Sequence, residues 1–152
     1  METAGIFARE SSYLKRLVQI GVASQKVVSV SFPSTVDDDV ESEHEVLDRI
    51  FAYLEGGKDD FTDVDIGLTV PTEQRAVLES TREIPYGKQV SVNKLVRMTP
   101  TLDVDDEESE NVVRTALAEN PIPIIIPDHR VRNGPSALPP KVEQKLRQVE
   151  RL

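Results

Sequence analysis

Residues 120–131 read NPIPIIIPDHRV, and the fold turns on how that stretch is taken. Ile122, Ile124, Ile125 and Ile126 form a short β-branched run locked between prolines, which is the pattern of a buried strand. Ile122–Ile126 is therefore predicted as one. The run then delivers an acid, an imidazole and a guanidinium in succession: Asp128, His129 and Arg130. A buried strand that ends on three ionisable side chains reads as scaffold opening onto a site.

The bulk properties narrow what that site can be. At 152 residues the chain fits one compact domain or two small ones sharing an interface, which excludes a large enzyme. No run approaches the roughly eighteen apolar residues of a membrane span, and the start lacks the regions of a signal peptide. The expectation is a soluble, cytoplasmic protein without membrane contact. There is no cysteine and there are two histidines, so thiolate zinc sites, thiol nucleophiles and histidine-rich metal sites are out. Neither a metal nor a cofactor is expected.

A net charge of −9 ordinarily argues against nucleic acid, because Lys and Arg neutralising phosphates supply most non-specific affinity. The charge is unevenly placed, however. Residues 1–70 carry 6 basic and 14 acidic side chains, and residues 71–152 carry 12 and 13. Six of those 13 acids lie in DVDDEESE, residues 103–110; without them the second half would be +5. The average hides a mildly basic half with an acidic insert, a composition also compatible with a halophilic source.

Working outward, residues 1–35 read as strands: GIF, then LVQIGVA and KVVSVSF, an antiparallel pair separated by Ser24-Gln25. In the next stretch Ser42 and Glu45 form a capping-box pattern. Val46, Leu47, Ile50, Phe51 and Leu54 make one apolar helical face, and Gly56-Gly57 ends it. KDDFTDVDIGLTV reads as a polar linker. From Pro71 short helices take over. Thr72 is the expected cap of EQRAVLESTRE, which Pro85-Tyr86-Gly87 breaks, and Ser91 caps VNKLVRM. NVVRTALAE ends before Asn120-Pro121, and a last helix after the Asn133-Gly134 turn aligns Val142, Leu146 and Val149. The expected organisation is an α/β domain over 1–68, a small antiparallel sheet with a helix. Over 69–152 a winged-helix or helix-turn-helix domain of DNA-binding type follows.

The order of these pieces resembles the O6-alkylguanine-DNA alkyltransferase family, the methylated-DNA–protein-cysteine methyltransferases. The match lies in QRAVLESTREIPYGKQVS, with Pro85, Gly87 and the capping Ser91, and in NPIPIIIPDHRV, with Asn120, Pro121 and Pro127. It continues in the closing helix with Leu146 and Glu150. The second motif is specific, since so many Asn, Pro, His and Arg positions rarely coincide by chance. The resemblance implies transfer of an alkyl group from a flipped guanine to a thiolate activated by a histidine, here His129, and oriented by a glutamate, here Glu150. The acceptor's position holds Asp128. The base-displacing arginine's position holds Asn111, with Arg114 one helical turn further on, and the tyrosine expected after Ser91 is Val92. The loop VRNGPSALPPKVEQ is shorter than the family's, and the acidic segment is an addition.

Chemically, a carboxylate is a poor nucleophile toward an alkyl ether where a thiolate is a good one. As an acceptor-only group, Asp128 would favour a donor edge such as plain guanine over its O6-alkylated form, which lacks the N1 proton. Alternatively it pairs with Arg130 or His129 and stabilises a closed, empty site. From this the chain is expected not to be an enzyme, with Asp128, His129 and Glu150 as a degenerate site. Three readings stay open. The first is a DNA-binding, alkyltransferase-like repair protein that inserts Asn111, Arg114 or Ser109 into a groove, with the capping Ser91 among its DNA-binding residues and Lys88, Lys94, Arg97, Arg130 and Arg132 near phosphates. The second is a protein-interaction module docking through 103–110. The third is an enzyme of different chemistry using Asp128, His129 and Glu150 as an acid–base set.

Overall fold

A computed structural model describes residues 4–152. Strands β1 (Ala4–Ser11), β2 (Arg16–Ala23) and β3 (Lys26–Ser31) form an antiparallel sheet in the order β1-β2-β3. The Ser24–Gln25 turn forms as predicted, with both residues at positive φ, 52° and 66°, the arrangement whose twist matches that of the strands it joins. At the β2–β3 bulge next to Gly21, a Cβ would lie 2.5 Å from Ser29 Oγ, so any side chain there would have to displace the Ser29 hydroxyl. Val18, Ile20, Val27 and Val30 are buried and join Leu47, Ile50 and Leu54 in one core.

Helix α1 (Glu45–Leu54) buries the predicted apolar face and adds Tyr53 to it, while Phe51 is only partly covered. Its cap is His44, not Ser42: Nδ1 of His44 accepts from the amide of Val46 at 3.0 Å. The imidazole, resting at 4.7 Å on the Phe7 ring, is already held where the helix starts. The linker after Gly56 is more than a polar connection. Arg49 bridges Asp59 and Asp63 at 2.7 and 2.9 Å, Ile66 pairs with Val27, and Phe61, Val64 and Leu68 are buried.

Helices α2 (Thr72–Thr81), α3 (Val92–Met98) and α4 (Glu108–Ala118) pack on one another, and α5 (Pro140–Glu150) closes the chain. Pro71, not Thr72, caps α2, and no side chain bonds there. Ser91 caps α3 as predicted, its Oγ accepting from the amide of Lys94 at 3.0 Å. Two short strands, β4 (Val90–Ser91) and β5 (Val131–Arg132), pair in parallel and fix the start of α3 beside the DHR triplet.

The predicted strand Ile122–Ile126 does not form. The segment is a buried loop in which Ile126 N donates to Ile122 O at 2.9 Å and Ile124 sits at φ 77°. Prolines at 121, 123 and 127 remove the amide donors a ladder needs. The side chain of Asn120 supplies the bonds instead, with Nδ2 donating to Ile126 O at 3.0 Å and Oδ1 accepting from Ile122 N at 3.0 Å. The outer face of the loop is met by β3, whose Val30 amide donates to Pro121 O at 3.0 Å.

Asn120→Ala would leave a buried amide and carbonyl unpaired at once. It is expected to cost about 2–4 kcal/mol, read as a lower urea midpoint with unchanged slope; a loss within experimental error would show that the loop closes without this side chain.

Candidate functional site

The chemistry of the chain converges on the carboxylate of Glu150, 5 % exposed at the end of α5. Its Oε1 accepts from the Gly87 amide at 2.9 Å and from Arg130 Nε at 2.8 Å. Its Oε2 accepts from Arg130 Nη2 at 3.1 Å, from His129 Nε2 at 2.7 Å and from the Tyr53 hydroxyl. Tyr53 oxygen also lies 3.1 Å from His129 Nε2. His129 Nδ1 is buried and has no hydrogen-bond partner among the described residues. Burial alone would raise the acid, but the bonds from His129 and Arg130 outweigh it and hold Glu150 at about 2. The Tyr53 phenol is pushed far upward by burial and by the neighbouring carboxylate.

Asp128 is fully buried and belongs to a separate set of bonds. The expected pairing with Arg130 or His129 does not occur. Its Oδ1 accepts from Ser136 Oγ at 2.5 Å, and its Oδ2 from the Ala137 amide at 2.9 Å and Asn120 Nδ2 at 3.1 Å. The short 3-10 turn Asp128–Arg130 turns its first side chain toward the loop before α5 and its other two toward Glu150. Burial raises the Asp128 carboxyl, opposed by the bonds from Ser136 and Ala137. Its partners are thus neutral donors and not the basic residues next to it in sequence.

Arg130 was expected near phosphates and is instead 1 % exposed. Its Nη1 donates to Ile84 O at 2.7 Å and lies 3.4 Å from Asp60, and its guanidinium stands 5.8 Å from the Tyr86 ring. It cannot reach a phosphate without unfolding this packing. The sequence reading missed Tyr53, Asp60 and Ser136. Tyr53 carried one signal, its place three residues after Ile50 on the apolar face of α1.

Residues 72–152 match the family model described as the 6-O-methylguanine DNA methyltransferase, DNA binding domain. The chain belongs to that family. A methylated-DNA–protein-cysteine methyltransferase of Methanopyrus kandleri is 35 % identical over 88 residues, 58 % of this chain and 62 % of that protein. The inducible enzyme of Bacillus subtilis is 31 % identical over 134 residues, 82 % and 71 %. In fold, the chain is similar to Mycobacterium tuberculosis O6-methylguanine methyltransferase, with a TM-score of 0.75 at 19 % identity, covering 97 % of this chain and 92 % of the other. It is also similar to that organism's OGT in complex with DNA, TM-score 0.72 at 19 % identity, covering 95 % and 91 %. These relatives overturn the expectation that the chain is not an enzyme: they are named as methyltransferases, and nothing in the Glu150 cluster shows that catalysis has been lost. What the chain does establish is narrower, that it holds no cysteine of its own.

In this member of the methyltransferase family, the remaining predicted residues lie on or near the α3–α4 pair. Lys94 and Arg97 are exposed on α3 and Arg132 is exposed on β5; none has an ion-pair partner among the described residues. Asn111 is exposed on α4, 3.5 Å from Glu108. Arg114 is half-buried, 3.2 Å from Glu110, and reaches Asn133 O at 3.5 Å. The acidic segment is an ordered turn at the start of α4. Asp103 and Asp106 accept from the amides of Asp105 and Glu108, both at 2.9 Å, and Ser109 Oγ donates to Asp103 O at 2.6 Å. Its carboxylates complement the helix dipole.

Glu150→Gln would strand the Arg130 guanidinium in the interior and is expected to cost about 3–5 kcal/mol at neutral pH. An acid held below its ordinary value of 4.5 contributes stability that is complete above that value and lost as pH falls toward about 2. The acid limb of stability should therefore be steep between those values in the wild type and flatter in the variant; equal limbs would show that Glu150 is not the group responsible. Asp128 acts oppositely, its raised carboxyl favouring the folded state as pH falls.

Proposed function

We propose that this chain is a DNA-repair protein that binds duplex DNA with its α3–α4 pair and engages a guanine-type base at the site built around Asp128, His129 and Glu150. The observation that carries the reading is the segregation of cations. Arg9, Arg49 and Arg130 are committed to acids, whereas Lys94, Arg97 and Arg132 are exposed on α3 and on the strand that pairs just before it. Free cations around two short helices are what phosphate docking requires. Support comes also from the shared fold with a relative crystallised with DNA.

In this reading Ser91 fixes the start of α3, Asn111 and Arg114 are the α4 side chains for the groove, and Lys94, Arg97 and Arg132 meet phosphates. Arg130 takes no part outside the cluster. Asp128 stands at the acceptor position that the family resemblance implies, with both oxygens already accepting from the protein. The chain holds no cysteine, so an alkyl group leaving guanine must be taken by some other atom, and intact-protein mass after incubation with alkylated duplex reads directly whether this chain is that acceptor. Residues 1–68 and 69–152 are the two units in this account, the second carrying the DNA face.

A second reading, a protein partner docking on residues 103–110, is favoured by the exposure of Asp103, Asp105, Asp106, Glu107 and Glu108. The two separate in one experiment. Under the first, those carboxylates oppose phosphates near α4, and Asp105→Asn/Asp106→Asn/Glu107→Gln should tighten duplex binding by up to about tenfold at low salt and less as salt rises. Under the second, DNA affinity does not respond.

The direct test is electrophoretic shift of plain and O6-methylguanine duplexes over a salt series. Three neutralised phosphates predict log affinity falling with log salt at a slope of about −2.7, and Lys94→Gln/Arg97→Gln should reduce the slope by about two; absence of any shift at low salt would contradict the proposal.

A further inference from the structure

A second concentration of positive charge shares no residue with α3, α4 or the Glu150 cluster. A cleft of about 610 Å³ lies between the β1–β2 turn and the first turns of α5, with Glu10, Lys15, Arg16, Pro33, Lys141 and Lys145 among its walls. Four cations face one acid here, in a chain where acids outnumber bases 27 to 18. Lys15, Arg16 and Lys141 have neither an ion-pair partner nor a side-chain hydrogen bond among the described residues. Lys145 is held by Tyr13: its Nζ donates to Tyr13 O and lies 5.0 Å from the ring centre, and Tyr13 hydroxyl donates to Lys145 O at 3.1 Å.

The turn that presents these cations is fixed. Lys15 sits at φ 57°, a left-handed conformation that costs a residue with a Cβ roughly 1–2 kcal/mol. It is kept there by Lys15 N donating to Ser11 O at 2.8 Å and Leu14 N donating to buried Ser11 Oγ at 3.1 Å. Opposite, α5 begins at Pro139 with no side-chain cap, so its first amides add the same sign of charge beside Lys141. Unpaired like charges held close together on ordered backbone repel one another unless an anion joins them.

We propose that this cleft is a second anion site that binds a phosphate-bearing ligand, with Arg16 supplying a forked contact and the lysines point charges. The same chemistry is offered by a free polyphosphate and by a nucleic-acid backbone, and two arms of one experiment tell them apart. In the first, inorganic pyrophosphate is titrated without DNA while the amides of Leu14–Leu17 and Lys141–Val142 are followed by NMR. Saturable shifts are expected, weakened about tenfold or more by Arg16→Gln/Lys141→Gln and unchanged by Lys58→Gln, an exposed lysine outside the cleft. In the second, the salt slope of duplex binding is compared for the wild type and the same double variant. A slope smaller by about two assigns the site to DNA backbone, and an unchanged slope with pyrophosphate binding assigns it to a free ligand. Arg16 and Lys141 are exposed, so the variant is expected to keep the wild-type melting temperature. Pyrophosphate shifts that do not saturate, or that Lys58→Gln weakens equally, together with an unchanged DNA slope, would overturn the site.

Discussion

One buried carboxylate organises this molecule. Glu150 accepts five hydrogen bonds from Tyr53, Gly87, His129 and Arg130, which ties α1, the loop before β4, the DHR turn and α5 to a single pair of oxygens. An ionised pair in the interior is stable only when every partner is in place, because each charge left alone costs several kcal/mol. The four segments therefore hold their positions together or not at all. Gly87, at φ 78°, supplies the one backbone amide in the set from a conformation glycine adopts without strain. The same bonds join the sheet half to the helical half through Tyr53, which lies 97 residues from its partner.

That distance explains what the sequence could and could not reveal. Local features were legible: the Ser24–Gln25 turn, the Ser91 cap and the apolar face of α1 each depend on neighbours within a turn or two. The specific run Asn120–Val131 carried the family. It misled about its own conformation, since four β-branched side chains outvoted three prolines and only the side-chain bonds of Asn120 resolve the conflict. The partners of Asp128 and Arg130 were out of reach of any local pattern. Arg130 looks like a surface cation beside a turn, and only the packing of α1, Ile84 and α5 around it makes it interior. Asp128 looks like a mate for the basic residues next to it, yet the 3-10 turn sends consecutive side chains in different directions.

The distribution of charge follows from the same division. Arg9, Arg49 and Arg130 are matched to acids; Lys94, Arg97 and Arg132 on α3 and β5, and Lys15, Arg16 and Lys141 at the cleft of α5, have no ion-pair partner among the described residues, and a run of exposed acids stands at the start of α4. An overall charge of −9 is thus an average over surfaces of opposite sign, each acting within a Debye length of about 8–10 Å. In this member of a family whose relatives are named methylated-DNA–protein-cysteine methyltransferases, His129 and Glu150 form a buried imidazole–carboxylate pair, and Asp128 beside them is held by separate bonds from Asn120, Ser136 and Ala137.

The claim on which the rest depends is that Glu150 is ionised and saturated with donors inside the folded chain. Following its side-chain carboxyl carbon by NMR through an acid titration tests this most directly. A signal that stays constant through the ordinary range near 4.5 and titrates only at about 2 is the expected result. A midpoint at the ordinary value, with the fold intact, would contradict the account.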